Sequence, residues 1–176
     1  MTAYTFSPQP AISTSSVTAA LNSLIYTLVQ YDDADLYGLT LVDEFLEDAT
    51  FPLTLYDRRY ALCCILAQLI TERLTFLGHL FELELPPEDE LYREALVSVR
   101  AYAQAQNPEL TGFCWLYYRY VRAELNISMT VFSNACFITT RTLRRYQSYA
   151  IQRLTDILIK QEWKTRRLRG SSPDGG

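Results

Sequence analysis

Turn-forming residues are scarce in this chain, with 6 Gly and 7 Pro among 176 residues. An all-β sandwich links many short strands through turns rich in those residues, so that class is set aside. Histidine is limited to His79, flanked by Leu77, Leu80 and Phe81 with no acid before Glu82, which leaves a Ser-His-Asp or Cys-His arrangement without a basis. Cysteine is limited to Cys63, Cys64, Cys114 and Cys136. No C-x-x-C spacing for zinc occurs among them, and their apolar neighbours mark them as small hydrophobes in a reducing compartment. A Gly-rich phosphate loop, H-E-x-x-H and G-x-S-x-G are all missing. The carboxylates of 32–48 and 82–94 show no recognisable paired spacing and read as solvated surface. The expectation is therefore a non-enzyme without cofactor or metal. A basic start and an apolar run are lacking in MTAYTFSPQPAISTSS, and the longest apolar stretch, Tyr60–Ile70, is short for a bilayer. A cytoplasmic protein with no membrane partner is expected.

What is present is hydrophobicity at helical spacing. Hydrophobic residues make up 49% of the chain and charged ones 20%, enough for a real core. The 13 Tyr and 8 Phe, several at helical intervals, read as core and half-buried helix faces. Residues 1–15 read as a flexible arm. Val17, Leu21, Leu24 and Leu28 line one face of a helix starting near Ser15 or Ser16, and 32–38 interrupts it. A short acidic helix over Leu39–Leu46 follows, then a long one from Leu55 to about Phe81 with Tyr60, Cys63, Cys64, Ala67, Ile70 and Leu74 in register. Pro86-Pro87 precedes a helix over Glu88–Ala105, which Asn107-Pro108 ends. Phe113–Leu125 reads as aromatic-rich and amphipathic. A short helix over Ser128–Cys136, a tight turn at Phe137–Thr139 and a long helix from Thr140 to about Arg167 complete the series, with Arg166–Gly176 fraying. Asp33, Asp35, Gly38 and Glu44 are spaced like a calcium loop, but Tyr37 stands where a short oxygen ligand is needed, so this stretch reads as an acidic capping loop. The fold class expected is all-α: a multi-helix bundle with a C-terminal helix-turn-helix and a long terminal helix.

Charge divides the chain. Residues 1–116 hold five basic and sixteen acidic side chains, a balance of −11, whereas 117–169 hold eleven basic and three acidic, a balance of +8. The organisation expected is an arm over 1–15, an acidic helical region over 16–108, a basic helix-turn-helix region over 109–169 and a disordered tail over 170–176. So abrupt a switch implies separate partners for the two halves, or an electrostatic contact between them.

The stretch 127–154, ISMTVFSNACFITTRTLRRYQSYAIQRL, meets the spacing that a helix-turn-helix demands. Ser128 caps the first helix, Phe132 and Cys136 face inward beside small Ser133, and Ile138 anchors the turn. Thr139 or Thr140 caps the second helix, and Leu143 and Tyr146 are its inward residues. On a helical wheel Arg141, Arg144 and Arg145 lie opposite Leu143, Ala150, Leu154 and Ile157. Arginine pairs with phosphate or reads guanine bidentately, and Thr140, Thr142, Gln147 and Ser148 add hydrogen-bonding groups. These seven residues are the expected nucleic-acid contacts.

The same stretch resembles the helix-turn-helix domains of bacterial regulators, including the fourth region of sigma factors and related antitermination proteins, over about the last third of the chain. It departs at Phe137, where glycine is usual, which implies a strained or lengthened turn, and at Ser133, where alanine is usual. A weaker resemblance, carried by the helical N-terminal region and by A-I-x-R-L-T-x-x-L-I-x-x-E from Ala150 to Glu162, is to the N-terminal modules of bacterial STAND ATPases, which implies an interaction or signalling role. Two functions stay open: DNA-binding regulation, with the acidic half serving dimerisation, partner docking or autoinhibition, and protein interaction. The placement of the arginines tips the balance toward DNA. An overall pI near 5.0 weighs against it.

Overall fold

A computed structural model describes residues 11–25 and 34–170. Among these residues the chain is helical and contains no strand. The helices are α1 (Thr14–Ile25), α2 (Ala34–Tyr37), α3 (Thr40–Phe45), α4 (Leu55–His79), α5 (Tyr92–Gln104), α6 (Pro108–Leu116), α7 (Met129–Ala135) and α8 (Thr140–Gly170). A π-helical turn, Tyr117–Val121, and a 3-10 turn, Ala123–Leu125, join α6 to α7.

Local chemistry sets most of the boundaries. At α1 the Ser13 hydroxyl accepts from Ser16 N–H at 3.1 Å, and the helix starts at Thr14, one or two residues earlier than expected. Thr54 and Asp57 form a reciprocal capping box at α4, with 2.7 Å from Thr54 N–H to the Asp57 carboxylate. Asn107 and Pro108 start a helix as well as ending one: the Asn107 side chain accepts from Leu110 N–H at 2.9 Å, and Pro108 takes the first helical turn, where its missing N–H costs nothing.

Helices α4, α6 and α8 form the centre. Gly112 of α6 lies so close to α8 that a Cβ there would stand 2.6 Å from the Tyr146 carbonyl oxygen and 3.0 Å from the Ala150 Cβ. One buried cluster runs from Val17 and Leu36 through Leu66 and Phe113 to Leu154 and Leu158. The core thus crosses the 108/109 boundary between the acidic and basic regions. Polar contacts cross it too. Arg73 pairs with Glu109 at 2.6 Å, Arg169 with Glu47 at 3.5 Å, and the buried Glu162 accepts from the backbone N–H groups of Thr40 and Leu41 at 2.9 and 3.0 Å. Arg122 holds the carbonyls of Pro87 and Glu90, each at 3.1 Å, while the buried Glu90 carboxylate accepts from Ser98 and, at 2.8 Å, from Tyr118.

Several expectations are corrected by this arrangement. The interruption at 32–38 contains helix α2 at Ala34–Tyr37. On α4 the buried face is Leu62, Ile65, Leu66, Leu69, Ile70 and Leu74, whereas Tyr60 is exposed and Cys63, Cys64 and Ala67 are half-buried. The α4 sequence is apolar over a wide arc, so its own spacing does not select a face, and packing onto α6 and the π turn does. Glu88–Leu91 lies outside α5. Residues 113–125 do not form one amphipathic helix: Leu110–Leu116 is buried all round, and the chain then tightens into the π and 3-10 turns. Arg166–Gly170 belongs to α8, with Arg166 bonded to Glu162 at 2.6 Å. The arm over 1–10, Leu28, Asp33 and the tail over 171–176 lie outside the described residues. By length and composition α4 meets the requirement for crossing a bilayer, but half of its apolar window is buried inside the fold.

Candidate nucleic-acid interface

The segment 127–154 folds as two helices joined by the short turn Cys136–Thr139. Ser128 caps α7, its hydroxyl accepting from Val131 N–H at 3.2 Å. Phe132, Ser133 and Cys136 are buried as expected, and the Phe132 ring meets the Trp115 ring of α6 edge-on at 5.1 Å. Ser133 is buried because its hydroxyl donates back to the Thr130 carbonyl at 3.0 Å, so the polar group is satisfied inside the helix.

The turn keeps the geometry of a glycine while carrying a phenylalanine. Phe137 has φ 57, its N–H donates to the Asn134 carbonyl at 3.1 Å, and Ile138 N–H donates to the Ser133 carbonyl at 3.0 Å. These two bonds make a Schellman motif, which ends a helix through a left-handed residue. The turn is strained rather than lengthened, and the Phe137 ring is 90% exposed.

Thr139, rather than Thr140, caps α8. Its hydroxyl accepts from Thr142 N–H at 3.1 Å and lies 3.0 Å from the Thr142 hydroxyl. Beyond the cap, Leu143 and Ala150 are fully buried, and Tyr146 and Ile157 are half-buried. The opposite face carries Arg141, Arg144, Arg145 and Ser148, all exposed, in the i, i+3, i+4, i+7 order of one helical stripe. None of the three arginines makes an ion pair among the described residues, whereas Arg153, two turns further on, pairs with Glu109 at 3.7 Å and Asp156 at 4.0 Å. The basic stripe therefore ends there.

Not every expected contact is equally available. Thr140, Thr142 and Gln147 are half-buried, and the Thr142 hydroxyl is engaged by Thr139. Ser148 donates to the Arg144 carbonyl at 3.0 Å, which leaves its oxygen to accept. Sequence reasoning passed over Tyr149, 47% exposed, and Gln152, which continue the stripe at the helical interval from Arg145. The same wheel that placed the arginines contained both. Thr130 and Asn134 of α7 are also exposed and add polar groups near the turn.

Burial pushes the Cys136 thiol up to about 12, and burial likewise holds the fully buried Cys114 thiol well above its usual range. Both are packing groups. No cluster of three or more His, Cys, Asp or Glu side chains able to hold a metal occurs among the described residues. The chain matches no family model, no curated protein and no solved structure with which it was compared.

Proposed function

We propose that this chain is a helix-turn-helix DNA-binding regulatory protein of the bacterial-regulator kind, acting in the cytoplasm without catalysis, in which the first turns of α8 contact DNA and the acidic helical half serves regulation or dimerisation. The observation that carries this reading is the stripe Arg141–Arg144–Arg145, exposed and without an ion pair among the described residues, although six other arginines (Arg58, Arg73, Arg122, Arg153, Arg166 and Arg169) each pair with a carboxylate. Guanidinium groups left without internal partners on the outer face of a helix that follows a tight turn suit phosphate and guanine alike. Thr140, Thr142, Gln147 and Ser148 are secondary contacts in this reading, with Tyr149 added.

Fluorescence anisotropy with labelled duplex DNA, at increasing salt and on the full chain, tests it. Wild type is expected to bind at low salt, with log affinity falling linearly against log salt by about 0.9 per neutralised phosphate. Arg144→Ala with Arg145→Ala is expected to abolish binding with helicity unchanged. Affinity retained in that double variant would sink the assignment.

A second reading, as a protein-interaction or signalling module like the N-terminal modules of STAND ATPases, is favoured by one observation. Phe137 keeps a strained backbone and a ring 90% exposed, and an aromatic anchor in a protein interface would account for both. In that case the arginine stripe binds an acidic protein surface, and DNA binding is absent even at low salt.

A further inference from the structure

The last three turns of α8 present a second basic surface, which the DNA reading leaves unused. Lys160 and Lys164, the two lysines of the chain, stand four residues apart with Arg167, and all three are exposed. Trp163, 58% exposed, and Leu168, 65% exposed, flank these cations on either side of the helix face. None of these three cations makes an ion pair among the described residues. A basic ridge with an exposed indole and leucine on its flanks offers charge and apolar area together, as a docking surface requires.

Its complement lies on the same molecule. A cleft of about 320 Å³ between α3, α4 and α8 has Leu41, Phe45, Ile65 and Leu69 as apolar lining and Glu44 and Glu72 as its charges. Glu44 accepts from the Thr165 hydroxyl at 3.1 Å and Glu72 from the Gln68 amide at 2.7 Å, and neither meets a cation among the described residues. Gln161 of α8 also lines the cleft. At 3.6 residues per turn Gln161 falls between the ridge and the buried face of α8, so ridge and cleft are neighbours on one helix.

We infer that the cleft is occupied by the Lys160–Trp163–Lys164 ridge of a second copy of this chain. Charge complementarity carries the choice of occupant: the acidic half supplies the cleft, the basic half supplies the ridge, and each set lacks an opposite charge within its own molecule among the described residues. Because ridge and cleft adjoin on α8, a single two-fold axis lets each copy offer its ridge and receive its partner's, which closes the assembly at a dimer. The surface is separate from the arginine stripe, since Arg144 and Lys164 are about 30 Å apart along the helix at 1.5 Å per residue. The dimer therefore stands whether or not the chain binds DNA.

Sedimentation equilibrium of the full chain at low and high salt tests this, with Trp163 fluorescence read in parallel. Wild type is expected to form a dimer that salt weakens, with a blue shift of Trp163 emission on association. Lys160→Glu with Lys164→Glu, and separately Glu44→Lys with Glu72→Lys, are each expected to raise the dissociation constant by about tenfold or more. The four changes combined are expected to recover association, because every facing pair is again opposite in sign. Lys160→Gln with Lys164→Gln and Glu44→Gln with Glu72→Gln repeat the test without like-charge repulsion should a reversal reduce helicity. A wild-type chain that stays monomeric at low salt overturns the inference, as does a dimer indifferent to both pairs of substitutions. Monomeric protein binding through the ridge to vesicles containing phosphatidylserine would assign the ridge to a lipid surface, and overturns it equally.

Discussion

The carboxylate of Glu162, near the end of the last helix, accepts the backbone N–H of Thr40 at 2.9 Å across 122 positions of sequence. Thr40 opens α3, so a side chain of the basic half satisfies the free N–H groups at the start of a helix in the acidic half. Burial alone would raise the Glu162 carboxyl, but the N–H groups of Thr40 and Leu41 and the Arg166 guanidinium outweigh it and hold the group below its usual range.

That direction fixes a pH dependence. A carboxyl depressed in the folded state contributes stability above the unfolded value, about 4.3 for glutamate, and the contribution is lost as pH falls through the folded value. Thermal unfolding of the wild type is expected to lose stability below about pH 4.3 more steeply than that of Glu162→Gln, which lacks the titrating group. Parallel profiles for the two proteins would remove Glu162 from the acid transition.

Gly112 is expected to tolerate no side chain. The Tyr146 carbonyl, 2.6 Å from the position of an added Cβ, is backbone inside α8 and cannot step aside without moving the helix. Gly112→Ala should destabilise by about 1–3 kcal/mol, the usual range for overpacking. A urea midpoint unchanged from wild type would show that α6 and α8 have room to separate.

Phe137→Gly is expected to stabilise the fold by about 1 kcal/mol, since relief of the left-handed strain exceeds the added chain entropy of glycine and the exposed ring contributes little burial. If Phe137 anchors a partner, the same variant binds that partner more weakly while melting higher. Calorimetry with and without the partner separates the two effects, and a lowered melting temperature would contradict the assignment of strain.

The four thiols are expected to fall into two classes. Cys114 and Cys136 are buried, and burial raises both thiols, so neither reacts at pH 8 until the chain unfolds. Cys63 and Cys64 are half-buried on the outer side of α4 and should react in the native state. A colorimetric thiol titration counting four rapid equivalents would mean that the α6–α7 core opens on the reaction timescale.

Much of this was legible from the chain alone, for local reasons. The helix cap at Ser128, the inward set Phe132, Cys136 and Leu143, and the outward arginines follow from spacing and side-chain chemistry within a few residues, so a linear reading reaches them. The all-α class follows from helical periodicity together with few turn-formers. Tertiary structure decided what local pattern leaves degenerate. On α4, apolar over a wide arc, packing chose the Leu62–Leu66–Ile70 face and left Tyr60 exposed. After Leu116 it drew the chain into a π turn. It bound the −11 and +8 halves into one core through Glu162, Arg169 and Gly112, because burial and charge pairing depend on neighbours distant in sequence. Which arginines would find a carboxylate and which would remain on the outer face of α8 was decided there too, since an ion pair needs two groups and the chain order names only one at a time.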